Sequence, residues 1–157
     1  MEDLKHKITS KFDKKKFELL DCNSPGTQNR DGSFACVDKH IRFFIKDLNN
    51  SKHIITFYSC EGHRKNDSAY IYFNVDETGW DIFFLKIVPE LSFEFLKHIP
   101  EGLSQLDWRL QIIDNEFGSG ISIHCPLNDG TFLDWKQKKE HFWKTMKENF
   151  LKNFKDE

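Results

Sequence analysis

The sequence predicts an α+β domain: a mainly antiparallel four-stranded sheet packed with about three helices on one face or both. Two observations carry this. Four short runs of β-branched and aromatic residues come as two pairs, 54–58 with 70–75 and 108–113 with 121–125, each close enough in sequence to return antiparallel. Three longer stretches, at 37–48, 80–91 and 132–154, place apolar residues at helical spacing instead, so the order reads helix, two strands, helix, two strands, helix. A chain of 157 residues suits one domain over 1–157, its core within 33–154.

Residues 1–20 are Lys-rich, with Leu4, Ile8, Phe12, Phe17, Leu19 and Leu20 scattered as for a short helix and then a short strand. Residues 22–33 are rich in turn formers and read as a loop. Val37, Ile41, Phe44, Ile45 and Leu48 then lie on one face of an amphipathic helix that Asn49-Asn50 ends. Asp38 falls in its first turn, where the helix dipole favours a carboxylate. After the first strand pair, Asp76-Glu-Thr-Gly79 caps a helix carrying Trp80, Phe83, Phe84, Ile87 and Leu91, which Pro89 should kink or divide. Beyond it, Leu91, Phe93 and Phe95 alternate as in a strand, while Leu91, Phe95 and Ile99 keep helical spacing, and helix is preferred. In the last strand Ile121, Ile123 and Cys125 share one face, leaving Ser122 and His124 on the other. The final helix should open at Thr131, with Asp134 three residues on as in a capping box, and should bury Trp135, Phe142 and Met146.

Sixteen Phe and four Trp make the core aromatic. No apolar run approaches the ~20 residues that cross a bilayer, and the first five residues lack the features of a signal peptide, so the chain reads as soluble and cytoplasmic, with no membrane partner. The net charge of −2 is uneven: residues 21–131 hold ten basic and sixteen acidic side chains. That deficit argues against broad nucleic-acid binding around the middle, leaving only a local contact through the Lys-rich ends. Cys22, Cys36, Cys60 and Cys125 are widely spaced and read as reduced thiols.

The densest chemistry lies in Ser59-Cys60-Glu61-Gly62-His63, expected as a loop between the first two strands. Three readings stand beside that of an ordinary tight turn. Cys60 and His63 suit a catalytic pair, a nucleophilic or redox thiol whose pKa the imidazole or a helix N-terminus lowers. Cys60-x-x-His63 is also half of a zinc spacing, but no second close pair completes it, with only Cys36 or His124-Cys125 as remote additions, so no metal is expected. Third, Gly62 frees backbone amides to face a small polar or anionic ligand, with Ser59, Glu61, His63 and Arg64 around it and Asp38 or Asp76 orienting a hydroxyl or amine. About twelve helical and six strand residues span similar lengths, so the loop should return beside the start of the 37–48 helix. Cys60 to His63 should therefore border the principal polar pocket next to residues 36–40, with Asp38 able to pair with His63.

Gly32-Ser-Phe-Ala-Cys-Val-Asp38, the Leu48-Asn49-Asn50 turn and Thr56-Phe-Tyr-Ser-Cys-Glu-Gly-His63, followed by Ala69-Tyr-Ile-Tyr-Phe73, resemble a group of uncharacterised bacterial and phage proteins. Those share a Val-Asp helix, a Leu-Asn turn, a strand and Ser-Cys-x-Gly-His, a resemblance that spans about residues 32–75 and implies no reaction or cofactor. A phage-related or host-defence interaction domain is the non-enzymatic alternative. More distantly, the strand and Ser59, Cys60 and Gly62 are similar to the tRNA wybutosine-synthesising methyltransferase family, with Tyr58 and His63 standing where that family has Ser and Arg. That likeness implies S-adenosylmethionine and tRNA.

Overall fold

The computed structural model describes residues 2–13, 37–91, 108–115, 118–128 and 134–155. Across them run α1 (Glu2–Thr9), α2 (Arg42–Asn49), β1 (Ile54–Cys60), β2 (Ser68–Val75), α3 (Glu77–Asp81), a π-helical stretch (Ile82–Ile87), β3 (Arg109–Asn115), β4 (Gly118–Pro126) and α4 (Trp135–Asn153). The strands form one sheet in the order β1-β2-β4-β3, with every neighbouring pair antiparallel. The chain thus has the α+β architecture expected of it, with four helices among the described residues. The 22–33 loop, the strand before residue 21, Cys36, the helix over 93–99 and the cap at Thr131 all lie outside the described residues.

Alternation along β2 divides the core. Ala69, Ile71, Phe73 and Val75 share a face with Ile54 of β1 and Ile121, Ile123 and Cys125 of β4, because these residues pair across the ladders or lie two apart along a strand. That face takes the helices: Ile8 of α1, Phe44, Ile45 and Leu48 of α2, Trp80, Phe83 and Ile87, and Phe142, Met146 and Phe150 of α4 join one buried cluster. Phe73 lies at its centre, edge-on to Phe83 at 5.1 Å and to Phe150 at 5.5 Å. On the opposite face a smaller cluster holds Ile55, Phe57 and Tyr72, with Phe12 and Tyr58 against it.

A bulge in β1 decides which way its last residues point. Thr56 pairs with Phe73 but Tyr58 pairs with Tyr72, leaving Phe57 as the extra residue. One inserted residue inverts the alternation downstream, so Ser59 turns to the helix-covered face and Cys60 to the other. Asn49, the last residue of α2, fastens this irregular edge: its Oδ1 accepts the Thr56 N–H at 2.9 Å and its Nδ2 lies 2.6 Å from Thr56 Oγ1.

Three expected boundaries shift. The helix begins at Arg42, not Val37; residues 37–41 form a turn in which the Ile41 N–H meets the Asp38 carbonyl at 3.2 Å and the Arg42 guanidinium holds the Val37 carbonyl. Val37 and Ile41 are buried all the same, which is why their spacing reads as helical. Asp76 caps α3 as expected, its Oδ1 accepting the Gly79 N–H at 2.8 Å. Helical turns then continue through Pro89 to residue 91 without division, and the irregularity is the π stretch upstream. Pro89 would crowd the carbonyl four residues before it in a regular α-helix, and the wider π turns reach to within two residues of it. The last helix opens at Trp135 with Asp134 as its cap, and Gln137 Oε1 reaches back to the Asp134 N–H at 3.4 Å, so the capping box sits one turn later than expected.

Candidate functional site

The 59–63 segment is only partly a loop. Ser59 and Cys60 close β1, paired with Ile71 and Tyr70, and the turn proper begins at Glu61. Ser59 is buried at 1% exposure and is not among the residues lining the cleft beside Glu61. Gly62 does take the positive φ anticipated for it, at 88°, and packs so closely that a Cβ would stand 2.7 Å from Leu127 Cδ1.

Backbone amides of this turn face the chain's own acceptors rather than an open ligand space. Asp38 Oδ2 accepts the Glu61 N–H at 2.9 Å, and Asp67 Oδ2 accepts those of His63 and Arg64 at 2.9 and 3.0 Å. The Gly62 amide is directed at Cys60 sulfur. With these donors occupied, the anion cradle expected of Gly62 is not built; what the turn presents is a set of carboxylates. Asp38 is likewise not a helix-dipole residue, since α2 starts four residues later. Its carboxylate meets His63 Nε2 at 3.1 Å, which is the Asp38–His63 pairing the chain lengths allow. Asp76, in contrast, serves α3 and holds His53 Nδ1 at 2.8 Å, away from the turn.

Asp38, Cys60 and His63 come together: one donor atom of each lies within 4.8 Å of the others. This environment does not activate the thiol. Burial pushes the Cys60 thiol above its ordinary pKa; the Gly62 amide opposes that, and the negative charges of Asp38, Asp67 and Glu61 add to it. The expected lowering by His63 or by a helix N-terminus is therefore reversed in direction. Tyr70, paired with Cys60, is raised in the same way, by burial first and then by Cys60, Asp38 and Tyr58.

On the other side of Glu61 opens a cleft of about 550 Å³, between the 37–41 turn and α4. His40, Ile41 and Glu61 line one wall; Trp135, Lys136, Lys139, Glu140, Trp143, Lys144 and Lys147 line the other. Glu61 is the common wall of cleft and cluster. Its buried carboxylate receives His40 Nδ1 at 2.8 Å and lies 3.7 Å from Lys139 Nζ through Oε2, while Oε1 stands 3.8 Å from His63 Nδ1. Its backbone carbonyl accepts the Trp143 Nε1–H at 3.0 Å, which locks the turn onto α4. Lys136 Nζ lies 5.6 Å from the Trp135 ring centroid.

Of the residues singled out from the sequence, Asp38, Cys60, Glu61, Gly62 and His63 are thus neighbours. Arg64 is exposed and is not among the cleft-lining residues. The sequence offers the Lys-rich ends only as a local nucleic-acid contact and does not single out the lysines and tryptophans of α4 as a pocket wall, although their signal is present: positions 136, 139, 140, 143, 144 and 147 recur every three or four residues beside the apolar stripe. No helix among the described residues is long and apolar enough to cross a membrane. Compared with known proteins, the chain matches no family model, no curated protein and no solved structure.

Proposed function

We propose that the chain is a binding domain for a small anionic molecule bearing a flat ring, seated in the cleft beside the Glu61 turn. One observation carries the reading: four lysines and two tryptophans converge on a single cleft of about 550 Å³. That volume lies within the ~300–1,000 Å³ usual for small-ligand sites. Lysine ammonium groups supply attraction for phosphate or carboxylate, strengthened where the walls exclude water. Indole faces supply stacking area for a ring. Glu61, held by His40 and Lys139 on the facing wall, keeps the cleft from being uniformly positive and offers an acceptor for a ligand N–H. Binding, rather than cysteine nucleophilic catalysis, is the role favoured, because the Cys60 thiol is pushed toward its protonated form.

Tryptophan fluorescence of the purified chain, titrated with AMP, ATP, inorganic phosphate and a single-stranded RNA oligomer, tests this. Saturable binding of a nucleotide, tighter than phosphate and weakened at least tenfold in Lys144→Ala/Lys147→Ala, is the expected result. Equal affinity for phosphate and nucleotide removes the ring from the proposal. Binding of the oligomer alone replaces the small ligand with a nucleic acid. No saturable quenching by any probe overturns the reading.

A further inference from the structure

We propose that Asp38, Cys60 and His63 bind one divalent transition-metal ion of zinc's coordination type, through a carboxylate oxygen, Sγ and Nε2, with the fourth position open to water. Its three ligands lie outside the cleft lining, which the site adjoins at Glu61. The sequence offers Cys60-x-x-His63 as half a ligand set; the fold brings Asp38 from the turn before α2 as the third member.

Distances suit such an ion. Two ligand atoms at about 2.0–2.1 Å from zinc, subtending a tetrahedral angle, stand about 3.4 Å apart, and sulfur at about 2.3 Å stands about 3.6 Å from either of them. Asp38 Oδ2 and His63 Nε2 are 3.1 Å apart, and Cys60 Sγ lies within 4.8 Å of one carboxylate oxygen of Asp38 and one ring nitrogen of His63. The His63 side chain is 52% exposed, so it has room to turn toward a shared ion. That exposure also leaves the fourth position facing solvent, the arrangement of sites that hold water or exchange ligands.

Orientation and charge agree with the distances. With Nε2 on the metal, the imidazole proton resides on Nδ1, which stands 3.8 Å from Glu61 Oε1, beyond hydrogen-bond distance but close enough for the carboxylate charge to favour that proton. The Asp38 carboxylate is already steered by the Glu61 N–H. Asp38, Glu61 and Asp67 surround Cys60, and the Glu61, His63 and Arg64 amides are taken up by Asp38 and Asp67, so the surplus at this point is negative. Lys139 and His40 meet Glu61 from the cleft side. A thiolate and an imidazole together select a zinc-like ion over magnesium or calcium, which prefer all-oxygen shells. On binding, the Cys60 S–H gives its proton to solvent and the thiolate electron pair forms the metal–sulfur bond, with no change of oxidation state.

Cobalt(II) titration of the reduced, tag-free full chain tests this, with absorption as the readout and zinc as competitor. One equivalent should bind, giving tetrahedral d–d bands and a thiolate-to-cobalt charge-transfer band that zinc abolishes. Cys60→Ser should lose the charge-transfer band, and His63→Ala and Asp38→Asn should each weaken binding at least tenfold. Cys22→Ser/Cys36→Ser/Cys125→Ser, which keeps Cys60 as its one thiol, should retain the full spectrum. Circular dichroism establishes that each variant is folded. A charge-transfer band that persists in Cys60→Ser, or binding of less than one equivalent by the folded parent chain, overturns the proposal. Neither readout involves the cleft ligand, so failure here and failure of the binding reading are separate results.

Discussion

At the scale of single residues, Glu61 is where the two candidate sites meet, and its neighbour Gly62 is what lets it sit there. A residue with a side chain at position 62 must hold φ near 88° and place a Cβ 2.7 Å from Leu127 Cδ1. Gly62→Ala should therefore cost about 1–3 kcal/mol in chemical denaturation, from backbone strain and the clash together. Unchanged stability would mean that the turn has another accessible conformation. His124 makes a different prediction, in pH. It stacks on Tyr70 at 5.0 Å, and burial first, then Arg109, lowers its pKa below 6.5. A folded-state value below the unfolded one means that the unfolded chain binds more protons, so stability rises with pH through this window. The His124 contribution is fully present above about pH 6.5 and is lost as pH falls through the depressed folded value. Denaturation midpoints between pH 5 and 8 should fall less steeply on the acid side in His124→Gln than in the parent. Parallel curves would remove His124 from the acid limb.

At the scale of elements, α4 serves two masters. Its inner face buries Phe142, Met146 and Phe150 at 0% exposure, and its flank lines the cleft with Trp135, which is only half-buried. Of the three residues expected to be buried, Phe142 and Met146 are, and Trp135 sits at the cleft. Phe142→Ala should cost about 3–5 kcal/mol by leaving a cavity among Trp108, Trp143 and the sheet, whereas Trp135→Ala should cost distinctly less and act mainly on ligand affinity. Equal losses of stability at both positions would count against that division of roles. The β1 bulge depends on another element, the end of α2. Asn49→Ala removes both contacts to Thr56 and deprives its backbone N–H of an acceptor, at an expected cost of about 1–3 kcal/mol. Hydrogen exchange at the Thr56 amide should rise in that variant, and an unprotected amide already in the parent would contradict the contact.

For the whole molecule, the relevant contrast is between core and site. The helix-covered face of the sheet gathers a buried cluster from all four helices and from β1, β2 and β4. Asp38, Cys60 and His63 lie outside that cluster, at the end of β1, and already converge through hydrogen bonds to the turn. Chelator should accordingly leave the far-ultraviolet circular dichroism and the denaturation slope unchanged, even where metal binds. Unfolding on chelation would show instead that the metal is a structural element whose binding energy is part of folding.

Residues of the chain determined by themselves what depends on local pattern: four strands from β-branched and aromatic runs, amphipathic helices from the spacing of Phe44, Ile45 and Leu48 and of Phe142, Met146 and Phe150, the Asp76 cap, and a turn at Gly62 that requires positive φ. Periodicity reports burial, and burial is shared by helices and by the turns that lead into them, so Val37 and Ile41 read as helical while the backbone at 37–41 is a turn. Facing at the end of β1 was beyond such reading. It follows from one unpaired residue, Phe57, whose position is settled by pairing with β2 and by Asn49 reaching across from α2. Had the alternation run unbroken, Cys60 would face the helices and Ser59 the opposite side. The meeting of Asp38 with Cys60 and His63, and of Lys139 of α4 with Glu61, joins residues more than twenty and more than seventy positions apart. Side-chain chemistry is written residue by residue, but which donors share a space is decided by strand register and helix docking, and those are properties of the packed chain.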